Sequence, residues 1–281
     1  MNTLSRDRKA QIVRCLIEGN SVRATCRITG TSKDAVLKLL EEIGQACWEY
    51  QHDTLRGLTC KRVQCDEIWQ FVRMKEKTAK RHGIEEFGVG DVWTFVAIDA
   101  DTKLVPCWRV GPRDAGTAYE LMLDLADRVT HRIQLTTDGF GAYLSAVPGA
   151  FGYDIDYAML VKLYGKDPNE PDHRYSPAKC IGAEAQRIIG FPDRRHISTS
   201  YIERQNLNMR MSMRRFTRLT NGFSKKLANH AYMIALYYMW YNFGRVHQTL
   251  RVTPAMEAGV ANHIWEIEEV VDLLPVECRL S

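Results

Sequence analysis

The 281-residue chain has no apolar run long enough to span a bilayer. The longest, Ala231 to Tyr241, stops at eleven residues, where roughly 18 are needed. The residues behind Met1 carry charge without an apolar stretch, so no signal peptide and no membrane partner are expected, and the expected place is the cytoplasm. Internal repeats and low-complexity tracts are absent. The eight cysteines include no Cys-x-x-Cys pair, and none stands near a histidine at zinc-ligand spacing. That argues against a structural zinc site and leaves small buried thiols. Disorder is excluded as well, because 45% apolar and 10% aromatic residues come with a net charge of only +4. A chain of this size can bury the core of one large and one small domain without staples.

The charge is unevenly placed. From Arg194 to Lys226 nine basic residues meet one acid, Glu203, for a local net charge of +8 in 33 residues. From Glu257 to Ser281 the sign reverses, with Glu257, Glu266, Glu268, Glu269, Asp272 and Glu277 against Arg279 alone. A basic stretch in a near-neutral protein is either a solvated face or a surface for a polyanion.

Three short helices are expected first. One covers about Ser5 to Glu18, with Ser5 as N-cap and Gly19 or Asn20 closing it. The second runs from Ser21 to Gly30. The third starts after Thr31 or Ser32 and carries Ala35, Val36, Leu39, Leu40 and Ile43 at helical spacing. A short helix, a tight turn at Gly30 and an amphipathic helix make a helix-turn-helix pattern. It suggests a DNA-binding domain over residues 1–57, with Ser32, Lys33 and Lys38 at the reading helix. The competing reading is a helical unit that only packs or dimerises.

Past Leu58 the period changes to two. Lys61 to Met74 reads as a strand with Val63, Cys65, Trp69 and Phe71 on one face, and Val92 to Ala100 as a second. Asp101-Thr102-Lys103 turns into a third strand, Leu104 to Val110. A helix over Ala115 to Val129 and a fourth strand over Arg132 to Thr137 follow. Four prolines between 159 and 200 predict an irregular insertion, before two helices at about Thr199 to Leu219 and Ser224 to Tyr241. The expectation is an α/β domain over 58–250, a mixed sheet flanked by helices, and an acidic helical tail over 251–281.

Three carboxylates stand out by context: Asp66 in the first strand, Asp138 at the end of the fourth, and Glu203 at the head of the basic helix. Each has an ordinary explanation. Asp138-Gly139 is a turn signal, Glu203 suits a helix start, and alternation does not say whether Asp66 or Glu67 points into a site. Together they could converge and hold two Mg²⁺ ions through hard oxygen ligands, as in-line phosphoryl displacement requires. If the helix continues, Arg210 and Arg214 lie within roughly 20° of Glu203 and Arg218 within roughly 60°. Asn206 flanks that stripe and Arg204 follows Glu203. Ile202, Met209, Met213 and Phe216 form a separate apolar stripe that can pack on the sheet.

The run from Ser198 to Arg210, with Glu203 and Arg210 at Glu-x6-Arg spacing, resembles the closing motif of DDE-type transposases of bacterial insertion sequences, especially those similar to insertion sequence one. Thr137-Asp138-Gly139 with Tyr143 resembles the second motif of that superfamily, and Cys65-Asp66-Glu67-Ile68-Trp69 the first. Tyr241-Asn242-Phe243, Arg245, His247, Leu250 and Thr253-Pro254-Ala255 look like the ending shared with integrase-type relatives. The resemblance spans about residues 60 to 258. It implies a ribonuclease-H-like fold with Asp66, Asp138 and Glu203 as catalytic metal ligands, and Mg²⁺, or Mn²⁺ in its place, as cofactor. It further implies cleavage at the inverted repeats of an element, joining to target DNA, and a homo-oligomer on DNA in the bacterial nucleoid. Ser32, Lys33, Lys38, Arg204, Asn206, Arg210, Arg214 and Arg218 would contact DNA. Relatives of insertion sequence one commonly begin with a cysteine-rich, zinc-finger-like segment, which this chain lacks. The long interval from Asp138 to Glu203 fits an insertion. The alternatives are a structure-specific nuclease of the same fold, and a domesticated DNA-binding regulator that uses only residues 1–57.

Overall fold

A computed structural model describes residues 4–165, 179–217 and 220–275 of the chain. Arg218, Leu219, Glu277 and Arg279, named above, lie outside the described residues, as does part of the expected insertion.

The N-terminal helices form where their caps predict. α1 (Arg6–Ile17) starts at Ser5, whose hydroxyl accepts from the Arg8 N–H. α2 (Val22–Thr29) is capped by Ser21 and closed by Gly30 in the left-handed region, at φ 64°. α3 (Lys33–Thr54) is capped by Ser32 and runs to 22 residues, well past the periodic stretch that announced it. One face of its second half, carrying Gly44, Cys47 and Gln51, is buried. Gly44 lies directly against Tyr232 of α8 (Leu227–Met239), and Gln51 donates to the Ala235 carbonyl at 3.0 Å. Arg128, itself buried, closes the C-terminal end of α3 by donating to the carbonyls of Gln51 and Leu55.

Six strands form one mixed sheet in the order β3-β2-β1-β4-β5-β6. These are β1 (Arg62–Val72), β2 (Gly90–Asp99), β3 (Trp108–Gly111), β4 (Gln134–Thr137), β5 (Asp156–Gly165) and β6 (Lys179–Ile189). β2 runs antiparallel to β1 and to β3; β1, β4 and β5 are parallel; β6 returns antiparallel to β5. This arrangement is consistent with the ribonuclease-H-like fold. One sheet face carries α5 (Ala115–Ala126) and α6 (Tyr143–Phe151), the other α7 (Ser200–Ser212). A continuous apolar core extends from Ala10 on α1 to Leu274.

Several elements differ from expectation. Residues 159–200 are not irregular throughout: they complete β5 and supply β6, a two-stranded ribbon whose exposed side hides its alternation. α4 (Glu76–Arg81) and α6 were not foreseen. α6 contains Pro148 and Gly149, both helix-breaking by propensity, and at Gly149 the ring of Tyr119 of α5 approaches to where a Cβ would be 2.9 Å away. The helix expected to reach Leu219 stops at Ser212, where Met213 turns extended and a 3-10 turn, Arg214–Phe216, follows. In a continuous helix Arg215 would point about 160° away from Met213 and about 100° away from Phe216. The break buries all three.

The described part of the tail, up to residue 275, carries two short helices, α9 (Pro254–Glu257) capped by Thr253 and α10 (Ile267–Asp272) lying against α1. Asp272 pairs with Arg6 at 2.7 Å and Glu268 with Arg14 at 2.6 Å, so the acidic end meets the N-terminal helix. Asn242, one of the motif residues, uses its side-chain amide as a strand substitute, donating to and accepting from the Val105 backbone at 3.0 Å each way.

Gly44→Ala tests the packing of α3 on α8. A Cβ at Gly44 would sit 2.4 Å from Tyr232 Cβ and 2.7 Å from its backbone. The clash should outweigh the helix-propensity gain of about 1 kcal/mol and lower stability by about 1–3 kcal/mol, read as a reduced denaturation midpoint. An unchanged or raised midpoint would mean that the two helices do not pack this way.

Candidate active site

The site exists because two neighbouring strands differ in length. β4 ends at Thr137, opposite Cys65, while β1 continues to Val72, so β1 has no β4 partner from Asp66 onward. Alternation places Asp66 on the α7 face and Glu67 on the α6 face. Asp138 steps off β4 level with Asp66 and is within reach of both. The carboxylates of Asp66, Glu67 and Asp138 each offer an oxygen within 4.8 Å of the others. Asp138 also makes the turn that its Asp-Gly sequence signals: one oxygen accepts from the Phe140 N–H at 2.9 Å. Turn and site are therefore one feature.

α7 is fastened over this point by β1 itself. The Gln64 side-chain oxygen accepts from the Tyr201 and Ile202 N–H groups at 2.9 and 3.1 Å, satisfying two of the free donors of the helix start. Ile202 and Met209 are buried beneath the helix. Asn206 Nδ2 donates to Asp66 Oδ2 at 2.9 Å. Glu203 stands one turn earlier, close enough for its charge to raise the pKa of Asp66. It is outside the 4.8 Å group. Its Oε1 is held by the Thr199 hydroxyl and by Lys162 of β5, with Nζ at 2.5 Å.

Crowded, half-dry carboxylates resist ionisation. Burial pushes Asp66 up to about 7, with the charges of Asp138 and Glu203 adding to it against the opposing bonds from the Glu67 N–H and Asn206. Glu67 is likewise pushed up to about 7 by burial and Asp138, against the pull of Tyr143 and Arg113. Arg113 donates to Glu67 Oε2 from Nε and Nη2 at 3.2 and 3.1 Å and lies 3.8 Å from Asp138 Oδ2. Its guanidinium is sandwiched by Phe140, 4.2 Å to the ring centroid, and Trp93, 4.8 Å. At Lys162 burial works against the charge, and the Glu203 carboxylate more than restores it, raising the pKa.

The donor set suits a hard divalent cation. It is all oxygen, and two buried oxygens beside Asp66, Glu67 Oε1 and Asn206 Oδ1, have no hydrogen-bond partner among the described residues. Mg²⁺ and Mn²⁺ favour such ligands, and soft-ligand metals do not.

Other residues singled out from sequence fall in different places. Arg204 is exposed on α7, and Arg210 is half-buried two turns beyond Glu203 on the same helix. Arg214 is exposed in the 3-10 turn, so the expected single-helix line of arginines is broken after Arg210. Asn206, expected beside a DNA-facing stripe, is instead buried against Asp66. Ser32 spends its hydroxyl on the α3 cap, while Lys33 and Lys38 are exposed, Lys38 lying 3.7 Å from Glu42. The sequence left open whether Asp66 or Glu67 points into a site, and Gln64, Arg113 and Lys162 were not singled out in it. Gln64, two residues before Asp66 on its own face, carried the one available signal.

No family model matches the chain, and no curated protein matches it. Among solved structures it superposes on a piggyBac transposase synaptic complex with hairpin DNA, at 10% identity over 98% of this chain and 72% of that one, with a TM-score of 0.44. It also superposes on the Mos1 strand transfer complex, at 11% identity over 85% and 76%, TM-score 0.25. A third is endonuclease V from Bacillus subtilis, at 14% identity over 71% and 87%, TM-score 0.23. None is close enough to carry a function to this chain.

The raised carboxyls give a pH signature. Unfolded Asp and Glu titrate near 4, below the folded values of about 7. The folded state therefore binds these protons more tightly, and the associated stability, present below about pH 4, is lost as pH rises through 7. The metal-free melting temperature should fall across that window, and Asp66→Asn should flatten the fall. Mg²⁺ needs the deprotonated groups, so the Mg²⁺-induced gain in melting temperature should grow over the same range. A gain independent of pH would contradict the assignment.

Proposed function

We propose that the chain is a DDE-type transposase that cuts and joins DNA with divalent metal at the Asp66–Asp138–Glu203 site. One observation supports this most: Asp66 in mid-strand and Asp138 at a strand end offer oxygens within 4.8 Å of one another where β1 loses its β4 partner, and Glu203 on α7 is near enough for its charge to act on Asp66. The motif resemblance around Asp66, Asp138 and Glu203 supplies the reaction class. Asp66, Asp138 and Glu203 would hold two Mg²⁺ ions, with Mn²⁺ able to replace them. Bound there, the metal would supply charge for in-line attack on a DNA phosphate, first by water and then by a 3′-hydroxyl.

The chain's own residues do the positioning. Gln64 sets the height of α7 over β1, Asn206 orients the Asp66 carboxylate, and Arg113 draws Glu67 and Asp138 together against their repulsion. Arg204, Arg210, Arg214 and Arg218 would hold the DNA backbone. α2 and α3 would act as the helix-turn-helix, presenting Lys33 and Lys38 to the inverted repeats, within a homo-oligomer that pairs two element ends. A regulator confined to residues 1–57 would have no use for this costly group of carboxylates.

The test is incubation of the protein with labelled element-end DNA and Mg²⁺, scored for cut and joined products. Asp66→Ala, Asp138→Ala and Glu203→Ala should each abolish both steps while metal-free DNA binding persists or tightens. Glu67→Gln, which loosens Arg113, should cost about 10–100-fold, the range for partners that orient metal ligands. Ca²⁺ should support binding with little turnover. Cut but unjoined product would indicate a nuclease of the same fold. Full activity in all three alanine variants would overturn the mechanism.

A further inference from the structure

Two side-chain cations serve the acidic cluster, and they are built differently. Arg113 is gripped by two aromatic rings and bonded twice to Glu67, so it is a fixed part of the wall. Lys162 is a point charge on a flexible stem, bonded within the cluster to Glu203 Oε1 alone, the oxygen that Thr199 also occupies. The pair lies at the open side of the cleft: 29% of the Lys162 side chain and 40% of the Glu203 side chain remain exposed. A carboxylate oxygen that already accepts from an ammonium and a hydroxyl is poorly placed to ligate a divalent cation as well.

We propose that Lys162 is a metal-released DNA contact: it neutralises Glu203 in the metal-free protein and turns to a DNA backbone phosphate once Glu203 serves as a metal ligand. The inference rests on the metal-site reading above. It follows from charge balance within the cleft, where a cation on Glu203 competes with Lys162 for the same carboxylate. When Glu203 acquires another cation, Lys162 loses the one carboxylate it pairs with among the described residues, Asp66 acting on it only through its charge, and is left on the exposed side where the phosphate backbone would pass. Metal occupancy and DNA affinity are thereby coupled through one side chain. The exchange is of non-covalent partners only, and no proton need move.

The experiment is full-length protein binding to a short labelled duplex, followed by anisotropy across a KCl series with and without a fixed concentration of Ca²⁺. Each phosphate neutralised on duplex DNA steepens the slope of log K against log salt by about 0.9. In Ca²⁺ the wild-type slope should be steeper than that of Lys162→Met by about 0.9, and without Ca²⁺ the two slopes should coincide. Lys162→Arg should keep the wild-type slope in Ca²⁺. Glu203→Gln, which frees the lysine without metal, should steepen the Ca²⁺-free slope by the same amount, and the double variant should return it to the wild-type value. Equal slopes for wild type and Lys162→Met in Ca²⁺, or a difference that is the same with and without Ca²⁺, would overturn the proposal. Calorimetric titration of Ca²⁺ into DNA-free wild type separates the two failures. Binding there with no Lys162-dependent slope sinks only the lysine exchange, whereas no binding at all sinks the metal site beneath it.

Discussion

Repulsion among carboxylates is the constraint around which this molecule is arranged. Asp66, Glu67 and Asp138 bring oxygens within 4.8 Å of one another, with Glu203 near enough to add its field. At an effective dielectric of about 20, two like charges 4 Å apart repel by about 4 kcal/mol. A fold whose whole stability is on the order of 5–15 kcal/mol cannot leave several such terms unopposed. The opposing elements are all present: Arg113 between Glu67 and Asp138, Lys162 on Glu203, the Asn206 amide on Asp66, and retained protons on the two most buried groups.

The scaffold explains why the repulsion is confined to one place. β1 pairs with β2 along almost its whole length, so its backbone stays rigid where the short β4 leaves it bare. Gln64, Asp66 and α7 then form one unit. The strand caps the helix that covers it, and the helix returns an amide to the strand. The remaining chain holds this unit from outside. α3 lies along α8, Arg128 closes the end of α3, and α10 ties the tail to α1 through exposed ion pairs that contribute little by themselves.

Much of this was legible in the sequence because it depends on local chemistry. Ser5, Ser21 and Ser32 announced their helices as caps, and the alternation of Val63, Cys65, Trp69 and Phe71 announced β1. Asp138 was readable as a turn residue, and it makes that turn while its carboxylate lies in the acidic cluster. What could not be read depends on partners distant in sequence. Arg113 matters because Trp93 and Phe140 enclose it, and Lys162 because β5 brings it to α7. Alternation puts Asp66 and Glu67 on opposite faces but could not say that Asp138, stepping off the end of β4, brings an oxygen within reach of both. The helix through Arg214 was misjudged because helical periodicity is silent about a break that tertiary burial of Met213, Arg215 and Phe216 imposes.

The central claim is that this acidic cluster is a divalent-metal site. Anomalous diffraction from crystals grown with Mn²⁺ tests it most directly. The account predicts a peak ligated by both Asp66 and Asp138, with Arg113 still held between Trp93 and Phe140 and with Lys162 withdrawn from Glu203. Well-ordered carboxylates with no anomalous peak between them at saturating Mn²⁺, or a peak elsewhere in the chain alone, would contradict it.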